Sequence, residues 1–433
     1  MFPIMMIYLV LVLIRPQDYP QLQGMMPVPV QQLALALAGI AWLMSKRRMV
    51  SAPQNLLLLL FLLAMMLSVA VNGWTGGAVP ILRDFGPVVL AYFLLANASF
   101  SRGRIKVAMA VFTLSACVLA AHGIDQAQTG TGWTGMGLSQ GTRIQYVGIF
   151  ADPNDLGMLF VICVPMAILL STGGGWLGLR KLFWWAVAGV LVYGIYLTDS
   201  RGTVLALLVV FGVYLWMSRG LLVAGTLGAI ALVGLMAMPS RMQELEVGEE
   251  SAMDRVYSWY EGLQMFQGQP LLGVGKGAYT DLHQLTAHNS LVLVLAEMGI
   301  IGFTLWLAFI GYCFWMMVKA LKWRPPAPGR AGPDEPAFGQ AQFIEWSRDR
   351  AVALTLQLAL VGFAVSAFFL SRTYVVLLYL LTALVVAHYG WMRERYRGLP
   401  AFRLGDHLLL WPAISVVAAV SLYLVVRILL AMA

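Results

Sequence analysis

The stretch TAHNSLVLVLAEMGIIG, residues 286–302, passes abruptly from polar residues into an apolar run with one charged residue, Glu297. Such a run is typical of a helix in contact with lipid. His288 and Asn289 stand where the polar segment ends, in a chain that has only 5 histidines. The stretch therefore predicts a membrane helix that carries potentially reactive side chains at its first turn.

The apolar pattern of this stretch recurs along the whole chain. Of its 433 residues, 60% are hydrophobic and only 11% are charged, whereas soluble proteins carry about 25% charged residues. We therefore predict an all-α, polytopic membrane bundle of about 12–13 transmembrane helices. The predicted spans are residues 1–14, 28–44, 55–71, 79–97, 105–122, 154–171, 182–198, 203–217, 221–239, 300–318, 351–370, 374–391 and 407–430. The first of them is interpreted as a retained helix, because it lacks the basic segment and cleavage site of a signal peptide.

The net charge of +8 does not indicate nucleic-acid binding, because the basic residues lie in short loops. With a cytoplasmic N-terminus, most of the 28 lysines and arginines fall in cytoplasmic loops, as the positive-inside rule requires. Residues 123–153 and 240–287 are then outer loops. Within the second, SAMDRVYSWYEGLQMF (251–266) predicts an amphipathic helix near the interface.

We divide the chain into four segments. These are N-terminal transmembrane helices (1–142), a core that includes the outer loop 240–287 (143–320), a cytoplasmic linker (321–350) and C-terminal transmembrane helices (351–433). The bounds of the core follow from the family resemblance described below. The linker contains RPPAPGRAGPDEP (324–336), which is typical of flexible connections. The three cysteines lie within apolar runs without metal-ligand spacing, so neither a disulfide nor a metal site is predicted.

Charged residues are almost absent from the middles of the predicted spans, which disfavours an ion-coupled transporter. The basic residues of the outer face are Arg15, Arg83, Arg143, Arg201, Arg241, Arg255, Lys276, Arg372 and Arg427. A guanidinium group binds phosphate oxygens in pairs and keeps its charge at any relevant pH. A cluster of arginines here predicts a site for an anionic lipid headgroup. The alternative is that each arginine only anchors a helix end.

His288 suits a general base, since an imidazole exchanges a proton near neutral pH and nearby arginines would lower its pKa. The alternative is a polar residue at a helix start that Asn289 or Thr286 caps. His283 and His122 lie on the same face and are rivals. The segment GVGKGAY (273–279) follows no strand, so it indicates a tight turn rather than a nucleotide-binding loop.

Four stretches, taken in order, resemble the O-antigen ligase and O-antigen polymerase family of bacterial membrane glycosyltransferases. They are RIQYVGIFADPNDLGMLF (143–160), DSRGTVLALL (199–208), DRVYSWYEGLQMFQGQPLLGVGKGAY (254–279) and AHNSLVLVLAEMGIIGFTLWL (287–307). Together they extend over roughly residues 143–320. The stretch IRPQDYP near the start is similar to members found with exopolysaccharide genes.

The resemblance implies transfer of a glycan from undecaprenyl diphosphate to an acceptor hydroxyl at the periplasmic face of the inner membrane, with no metal or nucleotide cofactor. It implies that His288 is catalytic and that Arg201 and Arg255 bind the diphosphate. Arg83 and Arg143 are additional diphosphate ligands on a weaker correspondence. For substrate binding we add Asn289 and the aromatic residues Trp259 and Tyr260. Trp133 and Tyr146 are further candidates for sugar stacking, and the alternative for all four rings is an interfacial aromatic belt.

The acceptor divides the possible activities. A second lipid-linked repeat makes the protein a polymerase of a surface polysaccharide, which we favour because of the N-terminal stretch, while lipid A–core or a protein makes it a ligase. Other classes are a lipid-linked glycan flippase and a non-catalytic assembly subunit. Expected partners are the lipid-linked donor, the acceptor glycan, membrane lipids and a chain-length regulator, but no nucleic acid.

Overall fold

The computed structural model describes residues 1–22, 29–45, 50–173, 178–236, 245–325 and 339–432, which contain fifteen α-helices. The helices are α1 Phe2–Leu13, α2 Val30–Leu43, α3 Pro53–Val71, α4 Ala78–Ala98, α5 Arg102–Thr129, α6 Pro153–Leu170, α7 Leu179–Leu197, α8 Arg201–Arg219, α9 Leu221–Met236, α10 Leu245–Gly268, α11 Tyr279–Leu282, α12 Ser290–Lys322, α13 Gln340–Phe368, α14 Val376–Arg395 and α15 Leu410–Met432.

The expected all-α membrane fold is confirmed. Among the described residues, 9 helical segments are long and apolar enough to cross a membrane, namely those of α3, α4, α5, α6, α8, α12, α13, α14 and α15. The other four predicted spans coincide with α1, α2, α7 and α9. The most buried of the nine segments belong to α6 and α14, so these two helices form the middle of the bundle and α15 lies at its edge.

Three predicted boundaries differ from the structure. Helix α5 continues to Thr129 instead of ending near residue 122. Its polar last turns are stabilised because buried Gln126 donates hydrogen bonds to the carbonyls of Met136 and Gly137 in the following loop, both at 2.8 Å. Helix α12 begins at Ser290, as the stretch 286–302 indicated, and therefore starts well before the predicted span 300–318. Helix α13 begins at Gln340, inside the predicted linker, while residues 326–338 of that linker and Arg241 lie outside the described residues.

A break interrupts α12 at Gly299, whose φ of 59° and ψ of −166° are not helical. Residues 269–278, which we call the docking loop, fill this break with their backbone. The amides of Val274 and Gly275 donate to the carbonyls of Ala296 and Glu297 at 3.0 and 3.1 Å. On the other side of the break, the amides of Ile300 and Ile301 donate to the carbonyls of Pro270 and Leu271 at 2.8 and 3.2 Å. Because lipid offers no hydrogen-bond partners, these bonds are what permits a broken helix at this depth.

The docking loop is also held by two neighbours. From α3, Ser68 donates to the carbonyl of Leu272 at 2.6 Å, and Asn72 donates to that of Gly273 at 2.8 Å. From the loop between α13 and α14, the ring of Tyr374 lies beneath the ammonium group of Lys276, 5.5 Å from it. The three glycines of GVGKGAY all have positive φ, at 69°, 110° and 90°, which confirms the predicted tight turn.

The loops divide the bundle into two polar ends. Hydrogen bonds, an ion pair and a cation–π contact join the loops 130–152, 198–200 and 369–375 to the loop 269–289 and the start of α12 at one end, which we call the site end. At the opposite end, Arg102 of α5 pairs with Glu345 of α13 at 2.6 Å, and Tyr396 donates to buried Asp349 at 2.6 Å. His388 of α14 also lies at this opposite end, where its Nε2 is 2.9 Å from the carbonyl oxygen of Asp349.

The break predicts a specific sensitivity at Gly299. A Cβ atom at this position would lie 2.4 Å from the carbonyl carbon of Leu271 and would occupy a backbone conformation that side chains rarely adopt. We expect Gly299→Ala to lower the apparent Tm of the purified protein by roughly 5 °C or more, through strain and loss of the docking contacts. Thermal denaturation in detergent measures this, with Gly189→Ala as the matched control, because a Cβ on Gly189 would meet nothing within 4 Å. Equal Tm values for the two variants would contradict the assigned role of the break.

Candidate functional site

His288 occupies the last loop position before α12, with a left-handed φ of 47°. The next residue, Asn289, is buried and caps the helix, since its Oδ1 accepts hydrogen bonds from the amides of Leu291 and Val292 at 2.8 and 3.2 Å. The predicted cap is therefore confirmed. The cap fixes the direction in which the chain enters α12, and the half-buried His288 side chain lies at the site end.

Ser290 connects this helix start to the loop between α13 and α14. Its hydroxyl donates to the carbonyl of Leu370 at 2.6 Å and accepts from the amide of Arg372 at 2.7 Å. Thr373 donates in turn to the carbonyl of Ser290 at 2.9 Å. These contacts fix Arg372 close enough to His288 to influence its protonation.

Arg372 forms a two-pronged ion pair with Asp155 of α6. Asp155 is buried, while Arg372 keeps 23% of its side-chain surface exposed. A terminal nitrogen of Arg372 also lies 3.7 Å from a carboxylate oxygen of Asp152. The sequence indicated Arg372 only as one of the outer basic residues, and it missed both carboxylates, although they lie in the quoted motif ADPND.

Asp152 and Asn154 link Arg372 to Arg143. Asp152 caps α6, because its Oδ1 accepts hydrogen bonds from the amide and the side chain of Asn154 at 2.7 and 2.9 Å. The Oδ1 of Asn154 accepts from Arg143 at 3.0 Å. Arg143 also donates to the carbonyl of Thr198 at 2.9 Å, which connects the long loop to the turn that precedes α8.

Arg201 and Arg255 complete the cluster. Arg201 begins α8 after the turn 198–200 and is exposed, whereas Arg255 is half-buried on α10. Burial and the positive charges of Arg143 and Arg201 lower the pKa of Arg255, while the negative charge of Asp152 opposes them. Arg143 and Arg201 are thus close enough to Arg255 to act on it electrostatically, and their role as a headgroup site stays a prediction.

His288 shares this environment. Partial burial lowers the pKa of its imidazole below the ordinary value, Arg255 and Arg372 lower it further, and Asp152 acts in the opposite direction. The imidazole is therefore neutral at pH 7 and able to accept a proton. The sequence predicted the contribution of the arginines, but the largest cause is burial.

A cleft of about 430 Å³ opens beside the cluster. Its polar lining consists of Asp152, Asp155 and Arg372, and Ile149 and Val375 form apolar walls. The volume lies within the usual range of small-molecule sites, roughly 300–1,000 Å³.

The remaining predicted site residues lie on α4 and α10. Arg83 is exposed on α4, a helix that packs against α3 and α14. Trp259 is buried against Phe368, with the ring centroids 5.5 Å apart, and Tyr260 is half-buried. The charges that shift the pKa of His288 are those of Arg255, Asp152 and Arg372, and the role of Arg83 as a diphosphate ligand stays a prediction.

The two rival histidines have their own surroundings. His122 is fully buried, with Nε2 2.8 Å from the hydroxyl of Thr134 and its ring against Trp133 and Tyr146. His283 lies with Nε2 3.3 Å from the hydroxyl of Ser258. Of the three, His288 is the one beside the arginine cluster.

Comparison with known family models found a match. Residues 185–307 match the family model described as O-antigen ligase. The matched segment contains Arg201, Arg255 and His288, and this supports the resemblance found in the sequence. No curated protein matches the chain.

The electrostatic arrangement predicts how His288 titrates. A positive neighbour disfavours protonation, so we expect Arg255→Gln to raise the pKa of His288 by at least roughly 0.5. Histidine-selective NMR of the protein in lipid nanodiscs measures this, with signals assigned from single His variants. Arg83→Gln is the control, because Arg83 is not among the charges that act on His288. An unchanged or lower pKa in Arg255→Gln would contradict the described cluster.

Proposed function

We propose that this membrane protein is a glycosyltransferase that moves a glycan from undecaprenyl diphosphate to an acceptor hydroxyl, and the match of residues 185–307 to the O-antigen ligase family model supports this proposal. The observation that carries the proposal is the joint position of His288, Arg201 and Arg255 at the site end of the bundle. Arg201 begins α8, Arg255 lies on α10 and His288 precedes α12, so three separate parts of the sequence contribute to this end.

The proposed reaction is a direct displacement. The oxygen of the acceptor hydroxyl forms a bond with the anomeric carbon of the donor, and the bond from that carbon to the diphosphate oxygen breaks. The electron pair of the broken bond leaves with the diphosphate, and His288 takes the proton of the hydroxyl. Arg255, Arg201 and Arg143 offset the charge of the leaving diphosphate. Since the diphosphate already activates the donor, the step requires no metal ion or nucleotide.

The remaining predicted residues have supporting roles in this proposal. Asn289 fixes the entry of α12, and Trp259 holds α10 against α13. Tyr260 stays proposed as a contact for the glycan. Arg83, exposed on α4, stays proposed as an additional ligand of the diphosphate. The site end would face the periplasm from the inner membrane, because the opposite end of the described chain carries most of its basic residues.

Two acceptors fit the proposed chemistry. We favour a second lipid-linked repeat, which makes the protein a polymerase of a surface polysaccharide, because of the N-terminal stretch IRPQDYP. A chain-length regulator is then an expected partner. The description of the matching family favours the alternative, a ligase that acts on lipid A–core or a protein. A flippase is disfavoured, because the charged residues of the described spans gather at their ends.

The first test removes the proposed base. We expect His288→Ala to abolish transfer while membrane insertion and Tm are kept, because the hydroxyl proton then has no acceptor. His288→Asn is a second variant, since asparagine tolerates the left-handed backbone found here. The assay supplies the purified protein with the host's lipid-linked repeat in the presence of EDTA and separates products on a gel. A ladder without added acceptor indicates a polymerase, and a single shifted band that appears only with lipid A–core indicates a ligase. His283→Ala serves as the control, and normal products from His288→Ala would overturn the proposal.

The second test concerns the diphosphate. We expect Arg255→Gln to weaken the binding of undecaprenyl diphosphate at least about tenfold, because charge-assisted hydrogen bonds to a phosphate are lost. The affinity of Arg255→Lys should lie between those of the wild type and Arg255→Gln, because lysine keeps the positive charge but lacks the planar guanidinium group. Native mass spectrometry with undecaprenyl diphosphate as the probe measures this, and equal affinities for wild type and Arg255→Gln would remove Arg255 from the site.

A further inference from the structure

The cleft of about 430 Å³ beside the arginine cluster has no part in the reaction as described so far. It is bordered by the loop 148–151, by the start of α6 and by the loop between α13 and α14. The cleft is built rather than incidental, because the ion pair of Arg372 with Asp155 joins its two sides.

The charge of the lining argues against a diphosphate in this cleft. Asp152 and Asp155 contribute two negative charges and Arg372 one positive charge. Asp155 is buried and engages Arg372 through both carboxylate oxygens, so these two residues neutralise each other. The carboxylate of Asp152 then leaves the cleft negative, and a negative wall repels an anionic group while it attracts a hydrogen-bond donor.

Asp152 presents one of its oxygens to this space. Its Oδ1 is engaged by Asn154. Its Oδ2 lies 3.7 Å from a terminal nitrogen of Arg372, which is too long for a direct hydrogen bond. The side chain of Asp152 is 42% exposed. The same carboxylate is close enough to His288 and Arg255 to act on both electrostatically. Asp152 therefore stands between the cation cluster and the cleft.

We infer that this cleft binds a sugar ring of the acceptor, and that Asp152 Oδ2 accepts a hydrogen bond from one of its hydroxyl groups. A neutral polyol fits this lining. Its hydroxyl groups can donate hydrogen bonds to a carboxylate. The C–H face of a sugar can pack on apolar walls such as Ile149 and Val375. The inference rests on the proposed function and adds its acceptor side. In this arrangement the hydroxyl that donates to Asp152 holds the sugar ring, and a different hydroxyl of the same acceptor attacks the donor and gives its proton to His288.

The key variant is Asp152→Asn. Asparagine caps helices as well as aspartate does, so the start of α6 is kept while the negative charge is lost. The matched control is Asp281→Asn, which removes a carboxylate from the exposed surface of α11. Unchanged Tm values for both variants show that any effect is on binding.

The binding experiment uses two probes on the full chain in nanodiscs. The first probe is the lipid-free oligosaccharide released from the host's lipid-linked repeat, followed by saturation-transfer NMR. The second is undecaprenyl diphosphate. We expect Asp152→Asn to weaken oligosaccharide binding at least about fivefold and to leave the affinity for undecaprenyl diphosphate equal or higher. Arg255→Gln should do the opposite, with weaker diphosphate binding and retained oligosaccharide binding.

Transfer kinetics give a second readout for Asp152. With the same oligosaccharide as acceptor, Asp152→Asn should raise the KM for the acceptor at least about fivefold and leave the KM for the donor unchanged. A change confined to kcat would mean that Asp152 acts only through His288, and it would overturn the acceptor assignment.

Two further outcomes oppose the inference in distinguishable ways. Two results would overturn the acceptor cleft alone. One is a loss of diphosphate affinity in Asp152→Asn. The other is the absence of oligosaccharide binding by the wild type at 10 mM, roughly the weak limit for specific sites. Absence of both diphosphate binding and transfer in the wild type overturns the proposed function and this inference together.

Discussion

The whole site depends on the hydrogen bonds that fill the break in α12. A helix interrupted within the membrane exposes amide and carbonyl groups, and each unsatisfied group costs several kcal/mol in lipid. The docking loop supplies partners on both sides of Gly299. Because the loop follows α10 directly, the break positions α10 relative to the first half of α12. Arg255 on α10 and His288 before α12 are thereby both held at the site end.

The electrostatics of the site end follow from a balance between repulsion among the arginines and their attraction to the carboxylates of Asp152 and Asp155. Arginines that lie close together repel one another, and the lowered pKa of Arg255 reflects this repulsion in addition to burial. Asp152 and Asp155 offset part of it, and Asp155 does so from a buried position. Removing one partner of a buried ion pair typically costs about 3–5 kcal/mol. The two carboxylates are therefore part of the structure that makes an arginine cluster tolerable without a bound anion.

Local signals in the sequence predicted much of the fold and part of the local geometry of the candidate site. Apolar length located the spans, the His-Asn step located the cap of α12, and the glycines of GVGKGAY located the tight turn, whereas the break at Gly299 was not predicted. The arginines near His288 were predicted from residue type and side of the membrane. The pair of Arg372 with Asp155 was not, because its partners are 217 positions apart and only the packing of α6 and α13 unites them. The extent of α5 was underestimated for a related reason, since Gln126 is stabilised in the helix by the loop that follows it.

The boundaries of the family match add a physical argument about how the site is divided. The matched residues 185–307 contain Arg201, Arg255 and His288, whereas Asp152 and Arg372 lie outside the match. On the proposed function, Arg201, Arg255 and the proton acceptor His288 fall inside the matched segment, whereas Arg143 and the groups that meet the acceptor fall outside it. This division suits the chemistry, because every donor presents the same diphosphate while acceptors differ in their sugars. A rigid cation cluster and a separately built cleft can then change independently, and the two remain coupled through Asp152, which is within electrostatic reach of both.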